Sequence, residues 1–230
     1  MQRTQRSRFS ELEGLAQKPR LAARGAMAFE MVLHCRELSV RRAGRPVIAG
    51  VGLQLEPGEA MVLRGPNGSG KTSLLRAVAG LASYDGEVFF TRRVQVLDPG
   101  FVRTHHVHYA GTESGLSPRL TVAETAQFIG GYHGVDAAPG LDELGLASLS
   151  DKRVAELSSG QRKRLSLLRL LVAPRALWLL DEPLTALDQD GKEVVRTLID
   201  SHRSRGGLVL VALHDELSVP GAKHMTVVPS

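Results

Sequence analysis

Residues 60–81 constrain the architecture of this chain more than any other stretch. An apolar run, Ala60–Leu63, leads into Gly65-Pro66-Asn67-Gly68-Ser69-Gly70-Lys71-Thr72, and Thr72–Leu81 then carries helical character up to a polar turn at Ser83–Gly86. Strand, loop and helix in that order fit G-x-x-x-x-G-K-[ST] at every fixed position. Glycine lacks the Cβ that would stop backbone N–H groups curling round an anion, and the helix N-terminus adds partial positive charge. Lys71 is expected to reach the β/γ-phosphates of ATP, and the Thr72 hydroxyl to ligate Mg²⁺.

Two further segments extend this chemistry. Ala176–Leu180 reads as an apolar strand running straight into Asp181-Glu182. A carboxylate at a strand's carboxyl end faces the crevice where ligands sit in such sheets. Asp181 is expected to support the Mg²⁺ shell. Glu182 could orient and polarise an attacking water, because phosphoryl transfer depends mainly on positioning and charge stabilisation. Leu157-Ser158-Ser159-Gly160-Gln161 precedes the basic run Arg162-Lys163-Arg164. Small hydroxyl residues at a helix start make a second anion site.

The remaining pattern alternates strands with helices, an α/β arrangement. Met31–Val40 and Gly52–Leu55 read as strands split by the turn Arg42-Ala43-Gly44-Arg45-Pro46, and Glu87–Val96 alternates loosely, as edge strands do. Residues 98–120 read as loop around a short strand at Val107–Ala110. Helices are expected at Thr121–Ile129, Ala138–Ala147 and Ser159–Val172, the last basic on one side and leucine-rich on the other. They form a helix-rich insertion at about 121–172. Asp190–Ser204 reads as helix, and Gly207–Leu213 and Lys223–Val228 as strands.

Charge excludes some classes. The formal charge is +5, but residues 1–26 supply +4 of it through Arg3, Arg6, Arg8, Lys18, Arg20 and Arg24 against Glu11 and Glu13. A near-neutral body argues against a nucleic-acid-binding face. The tail itself reads as a disordered arm, an anionic-surface contact, or residues upstream of a true start at Met27 or Met31. Cys35 is the one cysteine, so an internal disulfide or a cysteine-rich metal site is excluded. No stretch approaches the ~18 uninterrupted apolar residues of a membrane-spanning helix. His105, His106 and His108 cluster in sequence and each could ligate iron or a metal, but a solvated loop is the expected reading, with no haem bound by this chain itself.

In the order Gly65–Thr72, Leu157–Gln161, Asp181-Glu182, Thr185-Ala186-Leu187-Asp188 and His214, residues 31–230 resemble the ATP-binding subunits of ABC transporters. The resemblance implies a P-loop NTPase fold of ABC type: a mixed sheet core, an antiparallel β lobe and a helical subdomain at about 121–172, within one ATP-binding domain over 27–230. It implies a head-to-tail homodimer that sandwiches two ATPs, each phosphate loop facing the partner's Ser158, Ser159, Gly160 and Gln161. Asp188 would then lie at the dimer seam, and His214 would contact the γ-phosphate and help hold the attacking water.

Three positions depart from the family pattern. Val40–Arg45 holds no aromatic residue to stack on adenine, leaving Arg42 as the candidate. Thr112 stands where the usual glutamine links Mg²⁺ to the membrane subunit, with Glu113 beside it. Ser159 replaces the second glycine of the signature. Together with Tyr109-Ala110-Gly111 before Gly115-Leu116 and Arg162–Leu165, these are similar to the ATP-binding subunits of the haem exporters that serve cytochrome c maturation. That resemblance implies integral membrane subunits as partners and a peripheral position on the cytoplasmic face of the bacterial inner membrane. An exporter of lipid, lipoprotein or drug, or a non-transport ABC ATPase, remains the alternative.

Overall fold

Among the described residues, nine strands fall into two sheets of opposite character. The computed structural model describes residues 29–213 and 219–228. The tail at 1–26 and His214 lie outside the described residues.

The first sheet is antiparallel. β1 (Met31–Arg42) and β2 (Arg45–Leu55) form a hairpin whose two-residue turn, Ala43-Gly44, has φ of 47° and 77°. Positive φ at both turn residues matches the right-handed twist of the flanking strands. Met31, Leu33 and Cys35 point inward; after a register shift at Glu37 (φ 48°), Leu38 and Val40 do so instead. The extra residue resets the alternation, as a bulge must when one face is buried. β4 (Asp85–Arg92) pairs with the other side of β1, and β5 (Gln95–Leu97) closes the order β2-β1-β4-β5. The stretch read as edge strands is thus divided: β4 is interior and only β5 is the edge.

The second sheet is parallel, with the order β6-β7-β8-β3-β9 for β3 (Ala60–Arg64), β6 (Val107–Ala110), β7 (Leu177–Asp181), β8 (Leu208–Ala212) and β9 (Lys223–Thr226). The mixed character expected from the sequence lies between the two sheets. β7 and β8 are buried at every position. Both faces are covered, so their sequences read as continuous apolar runs. Leu63, Leu177, Leu179 and Leu210 pack with the antiparallel sheet and with α1 (Lys71–Val78), while Val62, Trp178, Leu180 and Val211 pack with the helices on the other face.

α2 (Pro99–His106) occupies residues read as loop. Asp98 accepts from the Phe101 N–H at 2.6 Å and Pro99 sits at the first helical position, a start signal present in the sequence. Between β6 and β7 come α3 (Val122–His133), α4 (Ala138–Glu143), α5 (Ser159–Ser166) and α6 (Leu168–Val172). The single helix expected over Ser159–Val172 is broken at Leu167. There the backbone tightens to bonds from Leu167 N–H to Arg164 O and from Leu170 N–H to Leu167 O, and the Ser166 hydroxyl donates to Lys163 O at 2.7 Å. α7 (Gln189–Ser204) follows β7.

Candidate nucleotide site

Gly65–Thr72 joins the carboxyl end of β3 to the first turn of α1, with the loop shape held from outside. Gly65 has φ 143°, and a Cβ there would run into Val227 O and come within 2.8 Å of Ser69 Oγ. Gly70 caps α1 with φ 106°, and a Cβ would lie 2.7 Å from Ile48 Cγ1. The β1–β2 hairpin therefore packs onto the end of the loop. Pro66, Asn67 and Gly68 are exposed, whereas Ser69 and Lys71 are buried. The Ser69 hydroxyl is buried without a hydrogen-bond partner. Lys71 turns back on the loop, its ammonium donating to Gly65 O at 2.6 Å and Pro66 O at 3.1 Å. Such a charge, seated on neutral carbonyls behind an open turn of N–H groups, suits an anion.

β7 delivers two carboxylates to the same end of the sheet. The Thr72 hydroxyl donates to Asp181 Oδ1 at 3.1 Å, which ties the loop to the strand. Asp181 is 1% exposed and its Oδ2 has no hydrogen-bond partner. Burial pushes its carboxyl above the ordinary value; the Thr72 bond pulls it down, the Glu182 charge raises it, and the Lys163 and Lys71 ammoniums lower it. A hydroxyl and a carboxylate with one unmatched buried oxygen are the donor types that a hard cation such as Mg²⁺ takes. Glu182 has φ 51°, held by its N–H bond to Ala212 O at 3.0 Å, and its Oε2 accepts from the Thr185 hydroxyl at 3.4 Å.

The signature segment is built differently. Ser158 caps α5, accepting from Gln161 N–H at 3.1 Å, while Gln161 Oε1 accepts from Ser158 N–H at 2.9 Å. This reciprocal box engages both side chains. Ser158 and Ser159 are exposed. A Cβ at Gly160 would lie 2.8 Å from Ala186 O, so this glycine is required by close approach and its neighbour Ser159 is not. Asp188 caps α7, accepting from Gly191 N–H at 2.9 Å, and is exposed.

One residue escaped the sequence reading. Lys163 belongs to the basic run after the signature, yet it is 8% exposed and donates to Gly111 O at 3.3 Å and Asp181 O at 3.4 Å. Burial lowers its pKa, and the Asp181 and Glu182 charges counter that. A cavity of about 230 Å³ between Thr112, Ser114, Lys163 and Glu182 separates the two halves of this corner. Its signal in the sequence, a lysine one turn into a helix, looks like any solvated face.

The other candidates separate. Arg42 sits exposed on the hairpin opposite Arg45. His105 stacks on Phe101 at 4.4 Å between ring centroids, whereas His108 is buried, its Nε2 bonded to Ala173 O at 2.8 Å, and burial pulls its pKa down to about 4 against the opposing effect of that bond. Among the described residues no group of three or more His, Cys, Asp or Glu side chains converges on a metal position. Cys35 is buried, its thiol pushed up to about 12 by burial.

Comparison with known proteins agrees with this geometry. The family model described as ABC transporter matches residues 48–185. The cytochrome c biogenesis ATP-binding export protein CcmA 2 of Cupriavidus metallidurans is 40% identical over 200 residues, covering 84% of this chain and 94% of that protein. CcmA of Bradyrhizobium diazoefficiens is 42% identical over 193 residues, covering 82% and 94%. Among solved structures, an ATP-binding protein of a putative ABC transporter from Pyrococcus furiosus superposes with a TM-score of 0.74 at 24% identity, covering 86% of this chain and all of that one. With the loop, the paired carboxylates and the signature segment in one fold, the chain belongs to the ATP-binding subunits of ABC transporters, in the group of the cytochrome c biogenesis ATP-binding export proteins.

Proposed function

We propose that this ATPase binds Mg²⁺-ATP on Gly65–Thr72 and hydrolyses it to power haem export for c-type cytochrome maturation. The observation that carries the reading is the Thr72–Asp181 hydrogen bond beside the buried, unmatched Asp181 Oδ2. Thr72 and Asp181 would hold Mg²⁺, which supplies charge neutralisation on the phosphates. Lys71 leaves its two loop carbonyls for the β/γ-phosphates, and the loop N–H groups of Pro66-flanked Asn67–Thr72 bind the remaining oxygens. Glu182 accepts a hydrogen bond, and then a proton, from the water that attacks the γ-phosphorus, with His214 contacting the γ-phosphate and helping to hold that water. Exposed Ser158 and Ser159 and half-buried Gly160, with Gln161 fixing their helix start, face the phosphates of a second copy, and Asp188 lies at the seam of the head-to-tail dimer.

Among the described residues no helix is long and apolar enough to cross a membrane. Integral membrane subunits would carry the export path, with this ATPase held peripherally on their cytoplasmic face. A groove of about 630 Å³ beside Gly115 and Leu116, with exposed Phe128 and Tyr132 and the cations Arg169 and Arg175, supports docking of such a subunit. The haem cargo rests on relatives named for cytochrome c biogenesis export. Expression in a bacterium deleted for its own such ATPase is expected to restore covalent haem in its c-type cytochromes, read by haem staining of gels. Lys71→Ala should not restore it. Equal staining with Lys71→Ala, or none with the wild-type chain and its own membrane subunits, overturns the reading.

A further inference from the structure

We infer that Lys163 is a positioning residue for hydrolysis, linking the Gly111–Ser114 segment to the end of β7 that carries Glu182. The inference rests on the hydrolysis reading above. Three observations converge on it. Lys163 is buried, one turn beyond the signature cap, on a helix whose other basic neighbours are partly exposed. Its ammonium donates to two main-chain carbonyls on different elements: Gly111 O, after β6, and Asp181 O, the last residue of β7. Arg169, on α6, grips the other end of the same segment by donating to Ser114 O at 3.0 Å. The segment between these two holds is exposed at Thr112 and Glu113 and borders the cavity that Glu182 lines.

The consequence is mechanical. Glu182 follows directly on the carbonyl that Lys163 holds, and its left-handed φ leaves its side-chain direction dependent on that peptide. Moving Gly111–Ser114 or α5 therefore moves the Asp181 peptide through one ammonium. Thr112 has no reach to do this: its side chain is short and exposed. Lys163 supplies from the signature helix a connection between that segment and the hydrolytic carboxylate.

The test is steady-state hydrolysis with the full-length chain, alongside equilibrium binding of Mg²⁺-ATP. Lys163→Gln is expected to lower kcat about tenfold, the equivalent of one hydrogen bond from a charged donor, while ATP affinity changes less than about twofold. Lys163→Arg retains a donor at the buried position and is expected to stay within about threefold of wild type. Wild-type kcat in Lys163→Gln overturns the inference. So does an affinity loss that matches the kcat loss, which marks collapse of the site rather than misplacement. If Lys163→Gln does not fold, Lys163→Arg decides alone, and a tenfold kcat loss there overturns it. A wild-type chain that binds ATP without hydrolysing it overturns the parent reading as well, and is distinguishable because no variant is needed to see it.

Discussion

The phosphate loop and the signature segment are both glycine-containing turns at helix starts, yet they are constrained in opposite ways. In the loop, Gly65 and Gly70 adopt positive φ and are packed against Val227 and Ile48, and Lys71 is buried. In the signature, Ser158 has an ordinary extended φ of −62° and ψ of 163°, its side chain completes a local cap, and it and Ser159 are exposed. One region is shaped by its own chain. The other, beyond its local cap, meets the rest of the fold closely at Gly160, by Ala186 O, and otherwise presents a surface. A surface built to fixed backbone geometry but left outside its own fold is what a composite site between two copies requires.

Breaking the loop should have the largest effect. Lys71→Ala is expected to weaken Mg²⁺-ATP binding about 10³-fold or more, since two phosphates lose their charge-assisted donor; isothermal titration reads it directly. Near-wild-type affinity would mean that the buried lysine serves the empty loop alone. Next comes Glu182→Gln, which should keep ATP affinity and lower kcat by about 10²–10³, trapping an ATP-bound dimer on gel filtration. Unchanged turnover would remove Glu182 from the water-activating role.

The comparison is then sharpened from the signature side. Ser158→Arg should leave its own loop able to bind ATP but depress hydrolysis in mixtures with wild type by more than dilution accounts for. Inhibition that follows dilution alone would put the segment outside the partner's site. The smallest effects separate neighbours: Gly160→Ala should cost about 1–3 kcal/mol in chemical denaturation, because the new Cβ meets backbone. Ser159→Gly, at an exposed position, should stay within about 0.5 kcal/mol. Equal losses would show that both positions are packed.

The sequence carried the loop because its chemistry is local: every residue needed to bend the backbone round an anion lies within eight positions. The Asp181-Glu182 pair was legible for a similar reason, standing at the end of an unbroken apolar strand. Lys163 was not, because burial is a tertiary property. The helix face that reads as basic turns one lysine inward against Gly111 and Asp181. The break at Leu167 was hidden too, since Ser166 weakens the helix only through where its hydroxyl points. At α2 the signal was present in Asp98-Pro99 but was outweighed by the surrounding glycine, serine and histidine. The histidine cluster failed differently: one strand boundary at Val107 sends His105 and His108 to opposite environments.

Glu182 shows how selection acts on such a corner. A non-glycine residue at φ 51° costs the fold about 1–2 kcal/mol that glycine would not. A screen for heat resistance alone would therefore enrich glycine at position 182 and, on the proposed role of Glu182, chains that no longer turn over ATP. On the proposed role of Glu182, laboratory lineages freed from the demand for turnover would be expected to lose that glutamate early.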